Sequence, residues 1–197
     1  NVRDASILIK EYGFSLGLQM MTGLYGADET SDYATGLELC ALAPDTVRIY
    51  PTVLLEGTQL AEEFRGGSYT PPTVEQTIPL CVRLLELFES RRIKVIRLGL
   101  QASETLSAQV LGGCYHPALG ELCQGERYYN NMLAEIRQMG GSDFVLLVSP
   151  RLYSQVVGQK KKNLARLAAL GYNISCRAEA ALTDTAFKIE KKGEKHS

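Results

Sequence analysis

Apolar and polar positions along this chain fall into blocks of two periods. Residues 3–12 set Ile7, Leu8 and Tyr12 at helical spacing, with Gly13 closing the helix. Leu16 to Leu24 is a nearly continuous apolar run, the pattern of a strand buried on both faces. "DETSDYATGLELCALAP" offers Thr30 or Ser31 as an N-cap, keeps a helical pattern through Cys40 and stops at Pro44. "TVRIYPTVLLEGT" reads as a second strand, interrupted by Pro51 and leaving through Gly57. An amphipathic helix starts near Thr73, and "KVIRLGLQ" is a third strand. Strands that alternate with helical crossovers predict a parallel α/β architecture, whose ligand sites lie on the loops after the strands. The exits after Leu24 and Glu56 are therefore the expected binding loops.

From Ser103 to Met139 the pattern is helical, broken by the loop "GGCYHPALGE". A strand "DFVLLVSP", a short helix "RLYSQVV", the turn "GQKKK", a helix "NLARLAALG" and a strand "YNISCRAE" follow. This layout divides the chain into residues 1–102, a helical extension over 103–140, a small basic α+β module over 141–180 and a charged, disordered tail over 181–197.

Charge sharpens that division. Residues 1–150 hold 11 basic and 18 acidic side chains, whereas 151–197 hold 10 basic and 4 acidic. A basic second module suits an anionic partner such as nucleic acid, the alternative for its last residues being a solvated lysine-rich tail. No apolar run is long enough to span a bilayer, and the first residues lack the layout of a secretory signal. Five cysteines scattered in apolar surroundings then suit reduced thiols in a cytoplasmic protein. Opening on a helical pattern without an initiator Met, the sequence reads as a piece of a longer protein.

Three stretches, "GFSLGLQMMTGLYG", "VRIYPTVLLEGTQLAEEFRGGSY" and "IKVIRLGLQ", resemble the carboxyl-terminal half of radical S-adenosylmethionine (SAM) proteins, specifically bacterial relatives of the Elongator catalytic subunit. Arg48, Tyr50, Pro51, Gly57, Thr58 and Leu60 match the family's pattern, and "LGGCYHPALGEL" resembles a loop of its bacterial members. The resemblance covers about residues 1–125 and implies the C-terminal portion of a partial (β/α) barrel, with SAM and a 4Fe-4S cluster at its carboxyl mouth. There the cluster donates an electron, SAM is cleaved and the resulting radical abstracts a hydrogen from the substrate. By motif position Gln19, Met21 and Gly23 would line the SAM wall, and Tyr50, Pro51 and Thr52 the adenine side. The alternative for Gln19 is a core amide bonded to neighbouring backbone. The family holds its cluster with three cysteines in a C-x-x-x-C-x-x-C run, which this sequence lacks, so the chain alone is expected to hold no cluster and to be inactive. Its missing partner would be the N-terminal half of its own barrel, and the substrate implied is RNA, specifically tRNA.

"VVGQKKKNLARLAALGYNISCRAE" resembles half of a KH RNA-binding domain, in which two glycines let the loop close on a nucleic-acid backbone. Gly158 fits the first glycine, and Lys161 stands in place of the second. Lys160, Lys161, Lys162 and Arg166 are the candidate phosphate contacts, against an ordinary packing unit with a solvated lysine turn. His116, near Cys114 and Cys123, has three readings: metal ligand, acid/base group or loop anchor held by backbone. A non-catalytic RNA-binding or scaffold protein that kept the half-barrel is the alternative to an enzyme.

Overall fold

A computed structural model describes residues 1–101, 103–182 and 186–193. They form two compact units, Asn1–Gly120 and Glu121–Ser197. The boundaries expected from the sequence stand at 102 and 140.

In the first unit, helix α1 (Val2–Glu11) opens with Asn1 and Asp4 in a reciprocal cap. Strand β1 (Gly17–Thr22) follows, then helix α2 (Glu29–Ala41) and strand β2 (Thr46–Pro51). The N-cap of α2 is Asp28, not Thr30 or Ser31: its carboxylate accepts the Ser31 N–H, and Ser31 returns a bond to the Asp28 backbone. Helix α4 (Val74–Ser90), capped by Thr73 and Gln76, leads into strand β4 (Lys94–Leu98). The three strands pair in parallel in the order β1-β2-β4.

Burial alternates along the strands. Met20 and Thr22 of β1, and Val47, Ile49 and Pro51 of β2, are buried, as are Leu39 of α2 and Leu80, Leu84 and Phe88 of α4. Gln19, Met21 and Arg48 are exposed. The apolar run over Leu16–Leu24 thus covers one face, not two. That is unusual for a parallel sheet, which ordinarily has both faces covered.

Pro51 ends β2 rather than interrupting it. The chain turns through Thr52 into strand β3 (Val53–Leu55), which forms a separate antiparallel ribbon with strand β5 (Val110–Gly113). Gly113 fits this ribbon because a side chain there would meet the Thr52 carbonyl oxygen at 2.6 Å. Helix α3 (Gln59–Arg65) and the short helix α5 (Glu104–Ser107) flank these strands in sequence. The expected helical extension over 103–140 therefore contains a strand; four residues were too few for the apolar period to be read.

Helix α6 (Leu119–Met139) starts at the boundary. The second unit continues with strand β6 (Asp143–Val148), helices α7 (Tyr153–Val157) and α8 (Lys162–Ala169), and strands β7 (Asn173–Ala178) and β8 (Phe187–Lys191). Its sheet has the order β7-β6-β8, parallel on one side of β6 and antiparallel on the other. Met132, Ile136, Phe144, Leu146, Val156 and Leu167 form its core with Ile189. The tail reading is corrected here, since 187–191 is a strand. Charge masked a period-two apolar pair, Phe187 and Ile189, of which Ile189 is buried and Phe187 meets Tyr128 edge-on at 6.4 Å. The rest of that reading at 183–185 and 194–197 lies outside the described residues. No helix among the described residues is long and apolar enough to cross a membrane.

Candidate functional site

The exposed face of the β1-β2-β4 sheet gathers side chains in register. Gln19 of β1 stands opposite Arg48 of β2, and Met21 opposite Tyr50. Neighbours in register on parallel strands share a face, so these four side chains lie on the side away from the buried strand residues. Gln19 is exposed, which sets aside the alternative of a core amide. A recess of about 410 Å³ lies along β1 and its exit loop, lined among others by Gln19, Met21, Leu24, Tyr25, Asp32 and Thr35.

The exit of β1 is held from two sides. The Gly23 N–H donates to Asp32 Oδ2 at 2.7 Å, and the Tyr69 hydroxyl donates to the Gly23 carbonyl oxygen. Gly23 has φ +70, and a side chain there would meet Pro72 at 2.9 Å, so only glycine fits this turn. Burial pushes the Asp32 carboxyl above the usual aspartate range, against the Gly23 N–H, which lowers it; the neighbouring Asp28 adds to the rise. Burial likewise raises the Tyr69 phenol. Tyr25 meets Tyr69 edge-on at 5.9 Å. Neither Asp32 nor Tyr69 stood out in the sequence, because a polar residue reads as solvated until the tertiary fold buries it.

Of the expected site residues, Gln19, Met21 and Tyr50 share the open face. Gly23 lies at the end of β1 with both backbone polar groups bonded. Pro51 and Thr52 do not join them. Pro51 is buried with Val47 and Ile49, and the buried Thr52 hydroxyl donates to the Thr22 carbonyl oxygen at 2.7 Å. The alternation of β2 turns the Pro51 side chain to the helix side, and Thr52 belongs to the turn that follows the strand.

His116 Nδ1 accepts the Ala118 N–H at 3.1 Å, and the His116 carbonyl accepts the Leu119 N–H at 3.2 Å, which ties the loop to the start of α6. Among the described residues no three His, Cys, Asp or Glu side chains gather as a metal site.

In the second unit, Lys160, Lys161 and Lys162 are exposed around a tight turn, with φ +50 at Lys160 and +59 at Lys161. Gly158, at φ +76, packs against Asn163, 3.1 Å from where its side chain would begin. Asn163 donates to the Gly125 and Val156 carbonyls at 2.9 and 3.0 Å. Arg166, unlike the lysines, is engaged within the unit: its guanidinium makes two bonds to Glu126, at 2.5 and 2.9 Å, and lies 3.5 Å over the Tyr129 ring. Its place four residues after Lys162 gives no sign of that pairing, since Glu126 is 40 positions away.

The first unit is thus an α/β unit with one bare parallel-sheet face and a glycine turn at a strand exit. The radical SAM C-terminal domain family model matches residues 44–129. The chain is 35% identical over 74 residues to a tRNA uridine(34) acetyltransferase of Dehalococcoides mccartyi (strain CBDB1), covering 36% of this chain and 16% of that protein. It is 28% identical over 121 residues to a tRNA uridine(34) acetyltransferase of Methanocaldococcus jannaschii, covering 60% and 22%. Among solved structures, Methanocaldococcus infernus Elp3 with an N-terminal deletion aligns with a TM-score of 0.57 at 24% identity, over 66% of this chain and 30% of that one, a likeness of fold. The match over residues 44–129 and the curated relatives support a place for the chain in the radical SAM superfamily, among its Elongator-catalytic-subunit-like proteins. It spans between 16% and 22% of the length of the curated relatives it matches.

Proposed function

We propose that this chain is the C-terminal part of a radical SAM iron–sulphur enzyme that modifies tRNA, and that the open face of β1 and β2 is one wall of a partial barrel holding the adenosyl part of SAM. The observation that carries this reading is the register itself. Gln19, Met21 and Tyr50 converge on a parallel-sheet face that the fold leaves bare. Gln19 supplies an amide for a ribose hydroxyl, and Met21, Leu24 and Tyr25 supply an apolar and aromatic edge for a base. These residues fit an adenosyl group, and SAM bound there supplies a cleavable sulphonium carbon bond for radical chemistry. The chain's cysteines do not fit the cluster. Cys81, Cys114 and Cys123 are buried and Cys40 and Cys176 half-buried, with no close-set triad in the sequence. The chain alone is therefore inactive in this reading, and the cluster belongs to the rest of the barrel.

The tRNA assignment is supported by the activity that the similar proteins' names carry. The second unit is read as a KH-like module in which Lys160, Lys161 and Lys162 meet phosphates. Its supporting observation is the exposure of all three side chains on one turn. A non-catalytic RNA-binding scaffold remains the competing reading.

Anaerobic reconstitution of the full-length protein with iron and sulphide, followed by an assay for 5′-deoxyadenosine with and without tRNA, decides between them. Formation of 5′-deoxyadenosine under reducing conditions supports the enzyme. RNA binding without SAM cleavage rejects it in favour of the scaffold.

A further inference from the structure

We infer that Arg48 and Arg97 form an anion-binding subsite on the open sheet face, suited to a phosphate or carboxylate group; the subsite adjoins, and so deepens, the adenosyl wall proposed above.

The argument starts from an irregularity in β4. Val47 stands opposite Val95, but Arg48 stands opposite Arg97, so Ile96 is an extra residue between the two pairs. In an unbroken register Arg48 would face Ile96, and Arg97 would fall beside Ile49, which is 0% exposed. The bulge moves Arg97 onto the open face next to Arg48. Bulges are rare in parallel pairs, and they re-aim side chains at functional positions.

The consequence is electrostatically unfavourable unless a third group joins. Like charges at paired positions repel. The strands β1, β2 and β4 carry no acidic residue to offset them. Counter-charges are not scarce nearby, because residues 1–120 hold 14 acidic side chains against 9 basic ones. Arg3, Arg65 and Arg83 each pair with a glutamate. Arg48, by contrast, has no ion-pair or hydrogen-bond partner among the described residues, and Arg97 donates to the neutral Gln101 Oε1 at 3.0 Å. Two arginines side by side in register, with Gln19 completing the row, supply the kind of donors that an oxyanion takes. The row lies two residues, about 7 Å, toward the amino ends of the strands from the Met21–Tyr50 row.

The test is protection of these arginines from phenylglyoxal in the full-length protein, read by mass spectrometry. Sodium phosphate and sodium acetate are titrated separately at an ionic strength held constant with chloride. Saturable protection of Arg48 and Arg97 together, with Arg91 unprotected, is expected. Arg48→Gln should shift half-protection of Arg97 to about tenfold higher anion concentration, and Arg97→Gln should do the same for Arg48. Protection by phosphate alone assigns a phosphate-bearing ligand, by acetate alone a carboxylate, and by both the shared chemistry. Protection that is absent, unsaturable or unchanged in the single variants overturns the inference. Equilibrium binding of S-adenosylhomocysteine, measured in parallel, tests the adenosyl wall separately, so either assignment can fail without the other.

Discussion

The Asp32 carboxylate and the Gly23 peptide meet at 2.7 Å, with the Gly23 N–H donating to Asp32 Oδ2 at the point where β1 leaves the sheet. This bond joins the first turn of α2 to the loop that edges the recess, so a helix side chain fixes the shape of a candidate ligand wall.

Asp32→Ala removes the acceptor and leaves the Gly23 N–H unsatisfied, so it is expected to lower unfolding free energy by about 1–3 kcal/mol in urea titrations. Asp32→Asn keeps an acceptor oxygen and should restore most of that loss. The pH dependence has a definite sign. Burial raises the Asp32 pKa in the folded state, so the folded protein binds more protons than the unfolded chain above about pH 4. The stability this group contributes is present in acid and is lost as pH rises through its folded pKa. Asp32→Asn should therefore flatten the stability profile in that window and gain on the wild type as pH rises. A gap between the two that stays constant with pH rejects this account.

Tyr69→Phe keeps the ring, with its edge contact to Tyr25, and deletes the hydroxyl that donates to the Gly23 carbonyl. A loss of about 1 kcal/mol is expected. Amide hydrogen exchange should quicken at Gly23 through Ala27, while the protection of α4 stays unchanged. Uniform quickening across the unit would show a general packing defect instead.

The lysine turn and Arg166 should separate cleanly. Replacing Lys160, Lys161 and Lys162 with Ala should flatten the slope of log affinity for single-stranded RNA against log salt by about 2, at roughly 0.7 per phosphate. Arg166→Ala should leave that slope alone, because its guanidinium is already committed to Glu126 and Tyr129. Its effect is a loss of stability of about 1–2 kcal/mol, kept modest by the partial exposure of the pair. An unchanged slope in the triple variant removes the RNA role of the turn.

The period of apolar positions made the parallel strands and their crossovers legible, because long blocks such as Leu16–Leu24 and the helix after Thr73 fix their own geometry. Motif position carried Gln19, Met21 and Tyr50 to one face. What the sequence hid was tertiary. That the Pro51 and Thr52 side chains are buried while Tyr50 meets the open face follows from the alternation of the strand, in which one residue sends a side chain to the opposite face. Arg97 was hidden because a bulge cannot be read from a strand's own residues. Asp32, Tyr69 and the Arg166–Glu126 pair depend on partners distant along the chain. β5 and β8 were missed because four or five residues, interleaved with glycine or lysine, carry too little periodic signal.

Thr22 closes β1 with a buried side chain, 1% exposed, whose Oγ1 has no hydrogen-bond partner among the described residues. A buried hydroxyl without a partner lowers stability by about 1–3 kcal/mol, whereas an apolar group of the same shape avoids that loss. Thr22→Val preserves the β-branched outline that suits a strand and leaves the Thr22 carbonyl free to accept both the N–H and the hydroxyl of Thr52. The variant is expected to unfold at a higher temperature than the wild type, by several degrees in a unit of this size. Ligand binding separates the two roles this side chain can have. If the hydroxyl serves structure alone, S-adenosylhomocysteine affinity of the full-length protein should be unaltered. A melting temperature below that of the wild type would show that the hydroxyl is satisfied in solution, and the apolar packing account of the β1 exit would then fail.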